Sequence, residues 1–85
     1  MEKSNPRLKR AFLEVVENQL EANDPPETRE TLKRLTSEGV SEDNAKIYIA
    51  QAVCMEVYHA LKHKQEFNLP RYLKNLKRLP EEPGE

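Results

Sequence analysis

A single cysteine, Cys54, rules out an internal disulfide, and the lack of tryptophan among 85 residues removes the side chain that most often anchors a small core. Only two glycines occur, and they do not form a phosphate-cradling loop. Charge of one sign is also missing. Acidic and basic residues nearly cancel to a net −1, which gives no general attraction to nucleic acid or to an anionic membrane. No apolar run reaches the roughly 18 residues that a membrane span needs. The best candidate, Ala45 to Leu61, is interrupted by Lys46, Gln51 and Glu56. The chain opens without the charged, apolar and cleavage-site succession of a signal peptide, so the expected location is the cytoplasm.

Charged residues make up 34% of the chain and hydrophobic ones 36%. A domain of this size buries only about 60% of the surface its unfolded chain exposes. Stability then has to come from a thin core, and self-association would help it. The expected organisation is one helical domain over residues 5–79, a disordered start at 1–4 and a flexible acidic tail at 80–85.

Four helices follow from spacing and end signals. Asn5 and Pro6 suit a cap and first helical position, and Leu8, Phe12, Val15, Val16 and Leu20 then recur at helical spacing to about Ala22. Asp24 followed by Pro25 and Pro26, with Glu27 three residues on, predicts a capped second helix from Pro25 to about Ser37 whose inward residues are Leu32 and Leu35. Gly39 suits the left-handed position that closes it, and Ser41 caps a third helix from Glu42 to about His63. Asn68 caps the fourth, which runs to about Leu79, with Phe67 and Tyr72 placed as a hydrophobic staple. The fold class is all-α: a small bundle of four helices with the third at its centre.

That third helix carries the main anomaly. Ala45, Ile49, Ala52, Val53 and Ala60 share one face, yet Glu56 lies within about 20° of Ile49 on it. A second flank, Ile47, Cys54, Tyr58 and Leu61, points away from Ile49, and a helix apolar on two sides calls for neighbours on both. In the first helix, Gln19 sits about 20° from Phe12, inside the apolar stripe. Two misplaced polar residues suggest each other as partners, since an unsatisfied buried group costs about 1 to 3 kcal/mol. The expectation is a Gln19–Glu56 contact between the first and third helices.

Other constellations compete. Glu56, His59 and His63 fall within a sector of about 60°, a spacing that suits zinc, iron or manganese if further carboxylates converge, for instance from Glu17 or a second subunit. The simpler reading makes both histidines partly exposed residues near a helix end. Cys54, with no histidine paired to it by helical spacing, reads as a small buried hydrophobe. Arg71, Lys74, Lys77 and Arg78 make the fourth helix basic, so an RNA or acidic partner is conceivable there. A solvated face beside an acidic tail is the plainer account. Nucleophile, phosphate loop and second placed acid are all missing around Glu56, which argues against catalysis.

VENQL followed by DPPETRETLKRL, the junction at Gly39 to Ser41, and later EVYHALK with FNLPRYLKNLKRLP resemble a family of short bacterial helical proteins classed as of unknown function. The resemblance spans nearly the whole chain and implies no activity. It implies histidines near the start of the first helix, where this chain has Asn5 and Lys9, so a metal role there does not carry over. The functional expectation is a non-enzymatic module for protein interaction or homodimerisation, with a metal or small-molecule site at Glu56 as the alternative.

Overall fold

The computed structural model describes residues 6–81. Four helices follow in order: α1 (Pro6–Ala22), α2 (Pro26–Ser37), α3 (Glu42–His63) and α4 (Leu69–Arg78). The expected start at 1–4, the Asn5 cap and positions 82–85 of the tail lie outside the described residues.

The ends of the helices show why the chain breaks where it does. At the close of α1, Asn23 adopts the left-handed conformation (φ 53°). Its amide bonds to the Leu20 carbonyl, while that of Asp24 reaches the Gln19 carbonyl at 3.0 Å. This is the Schellman arrangement. Asp24 therefore belongs to the closing of α1, and the expected Asp24 cap on α2 does not form. Pro25 occupies the cap position without a side-chain hydrogen bond. Gly39 (φ 100°) closes α2 by the same device, with Val40 bonded back to the Leu35 carbonyl. Ser41 caps α3 by accepting from the Asn44 amide, and Asn68 caps α4 by accepting from Arg71. Phe67 and Tyr72 meet edge to face with ring centres 5.3 Å apart, completing the staple.

Helix α3 packs against all three others and is the centre of the bundle. Helix α2 also touches α1 and α4, whereas α1 and α4 do not pack on each other among the described residues. The core is built from Val16 and Leu20 of α1, Leu35 of α2, Ala45, Ile49, Ala52 and Val53 of α3, and Tyr72, Leu76 and Leu79 at the chain's far end. Leu32 is only half-buried; two threonines, Thr28 and Thr31, complete the inner face of α2 instead.

Candidate functional site

Glu56 is fully buried, and both of its oxygens are taken by one arginine. The Arg71 guanidinium donates from Nε to Oε2 at 2.6 Å and from Nη2 to Oε1 at 2.9 Å, a two-pronged pairing of α4 with α3. Arg71 is held in place by its own helix start, where its backbone N–H bonds to the Asn68 side chain. Charge-assisted, bidentate bonds of this kind are about twice as strong as neutral ones. They explain why a carboxylate can occupy the middle of a small core.

The expected Gln19–Glu56 contact is therefore not formed. Arg71 offers Glu56 a full charge and two parallel donors, which the neutral amide of Gln19 cannot match. Gln19 has found other partners. Its Oε1 accepts from Thr28 Oγ1 of α2 at 2.7 Å and from Tyr72 Oη of α4 at 2.8 Å. The two hydroxyls are 3.3 Å apart. Two hydroxyl protons serve three edges of this triangle, and with both aimed at Gln19 the Thr28–Tyr72 edge is a close approach of two oxygens. The triangle joins α1 to α4, which otherwise do not pack together. Burial pushes the Tyr72 hydroxyl above its ordinary pKa of 10.0.

The metal constellation is not assembled either. Glu56 is committed to Arg71, and Glu17 holds Lys46 at 2.7 Å. His59 and His63 lie against each other with ring centres 4.2 Å apart. No three His, Cys, Asp or Glu side chains among the described residues come together as a set that would hold a metal ion. The salt bridge from Glu17 lifts the Lys46 ammonium above its ordinary value, with burial opposing and Glu42 assisting.

The basic face of α4 is smaller than its sequence suggests, because Arg71 turns inward. Lys74, Lys77 and Arg78 are exposed, and Arg78 approaches Glu81 at 3.8 Å. Three buried polar residues escaped sequence reasoning altogether, Thr28, Thr31 and Asn75. Asn75 carries a signal in retrospect: it lies four residues after Arg71 and three after Tyr72, on the inward flank of α4.

What remains is the outer flank of α3. Leu61 is 75% exposed and Tyr58 64%, and Leu8 on α1 is 55% exposed. The expected burial of Cys54 is only partial. It lines a groove of about 400 Å³ walled by Leu8, Phe12 and Leu13 of α1 and by Ile47 and Ala50 of α3, with Lys9 and Gln51 as its polar members. Ile47, Cys54, Tyr58 and Leu61 occupy a sector of roughly 60° on α3, so the groove and the exposed pair form one apolar strip. No described helix is long and apolar enough to cross a membrane. Compared with protein-family models, with curated proteins and with solved structures, the chain matches none.

Proposed function

We propose that the chain is a non-enzymatic helical interaction module of the cytoplasm, and that it holds its partner along the outer strip of α3 and the groove beside α1. The observation that carries this reading is the exposure of Tyr58 and Leu61 in continuity with the Leu8, Phe12 and Ile47 groove. Fully burying a leucine-sized side chain is worth about 1.5 to 3 kcal/mol, so an open strip of this kind gains most by being covered. Its repeat of apolar positions suits an amphipathic helix laid along it. A free thiol in Cys54 agrees with a reducing compartment. The alternative centred on Glu56 has little to build on, because neither carboxylate oxygen is free of Arg71.

The reading is tested with the double variant Tyr58→Ser/Leu61→Ser in dilute solution. If the strip serves a partner, urea unfolding of the isolated chain is unchanged. A loss comparable to that of a core variant such as Ile49→Ala would mean that the strip belongs to the chain's own interior, and the proposal would fall.

A further inference from the structure

Resting on that reading, we infer that the partner is a second copy of this chain, docked antiparallel along α3 with the two-fold axis beside Cys54. The strip has two unlike halves. Its amino-terminal half is concave, the groove between α1 and α3 at Leu8, Phe12 and Ile47. Its carboxyl-terminal half is convex, made by the exposed Tyr58 and Leu61. A knob and a groove on one face can satisfy each other only between two molecules. In a two-fold arrangement they do so twice, since whatever residue i contacts on the other copy is contacted in return.

The spacing fixes the register. Ile47, Cys54 and Leu61 are separated by seven residues each, so an antiparallel pairing centred on Cys54 sets Ile47 of one copy opposite Leu61 of the other. The small residues Ala50 and Cys54 fall at the middle, where two helices must approach most closely.

Charge chooses the direction. The amino end of α3 carries Glu42 and Asp43, its carboxyl end Lys62 and His63, and Lys64 follows. Antiparallel docking lays the acidic end of each copy beside the basic end of the other, whereas parallel docking would set like against like. Asp43 and Lys64 are eleven and ten residues from Cys54, so antiparallel docking centred there brings the α3 end that carries Asp43 beside the other copy's Lys64. Both are exposed, and neither is in an ion pair within the chain among the described residues.

The test mixes full-length chains bearing labelled isoleucine methyls with chains bearing labelled leucine methyls, and looks for nuclear Overhauser contacts between Ile47 and Leu61. Within one chain these residues are about 21 Å apart along α3, too far for any such contact. The expected result is a concentration-dependent dimer with Ile47–Leu61 cross-peaks. Leu61→Glu should abolish the dimer. Asp43→Lys and Lys64→Asp should each weaken it several-fold, and the two together should restore it. A dimer without those cross-peaks overturns the inference. So does a chain that stays monomeric to millimolar concentration. In that second case the Tyr58→Ser/Leu61→Ser variant separates the two ideas: unchanged stability leaves the interaction strip standing for another partner, while lost stability removes both.

Discussion

The inner face and the outer flank of α3 invert the usual assignment of side chains to core and solvent. Glu56 has no exposed surface, while Leu61, five residues further on, is three-quarters exposed. The inner face tolerates an acid because α4 brings a guanidinium to both of its oxygens. The outer flank leaves a leucine and a tyrosine in water because none of the described helices covers them. Burial on this helix is thus decided by what the neighbouring helices supply, and hydrophobicity comes second. The inner acid is a satisfied structural joint, and the exposed outer apolar residues form the strip proposed above as a docking surface.

Removing the arginine should break the inner face most severely. Arg71→Ala leaves a buried carboxylate with no counter-charge, and the expected loss is about 3 to 5 kcal/mol in urea unfolding. Replacing both partners by leucine should return most of that loss, because the desolvated charge goes with its partner. A loss under about 1 kcal/mol for Arg71→Ala would show that Glu56 does not depend on it.

Ile49→Ala, about two turns from Glu56 on the same inner face, should cost about 3 kcal/mol through lost burial and the cavity left behind. It calibrates what an apolar residue is worth inside this bundle.

Tyr72→Phe removes one corner of the Gln19–Thr28–Tyr72 triangle and should cost about 1 kcal/mol at neutral pH. At alkaline pH its effect should shrink. The buried hydroxyl keeps its proton in the fold to higher pH than in the unfolded chain, so the native state binds the extra proton. Stability associated with Tyr72 is therefore present below the ordinary value of 10.0 and lost as pH rises through the folded value. Unfolding midpoints of the wild type and Tyr72→Phe, followed from pH 7 to beyond about 10, should converge.

The smallest effect belongs to the outer flank. Tyr58→Ser/Leu61→Ser should change the stability of dilute protein by no more than about 0.5 kcal/mol. Against the Ile49→Ala value this is the sharpest contrast the helix offers.

Much of the fold was legible because helix ends are local chemistry. Ser41, Asn68 and Gly39 act through hydrogen bonds to residues within one turn, and the Phe67–Tyr72 staple spans five residues. Asp24 misled because its amide closes α1 and the cap position of α2 falls one residue later, on Pro25. The site was legible in half. Gln19 and Glu56 stand out as polar residues on apolar faces, but their partners depend on how α1, α3 and α4 are rotated about their axes, and a single helix's pattern does not encode that rotation. Arg71 looked like one cation among four, yet its position next to Tyr72 lets its apolar stem run inward. Thr28 is buried because Gln19 of α1 accepts from its hydroxyl, a partner nine residues away that no local pattern on α2 shows.

The central claim is that the outer flank of α3 is open in the isolated chain and covered in a complex. Broadening of methyl signals by a soluble paramagnetic agent measures this directly. In dilute, monomeric protein the Leu61 and Leu8 methyls should be broadened strongly while Ile49 is spared, and at concentrations where the protein associates the Leu61 signal should become protected. A Leu61 methyl as shielded as Ile49 in the monomer would contradict the account.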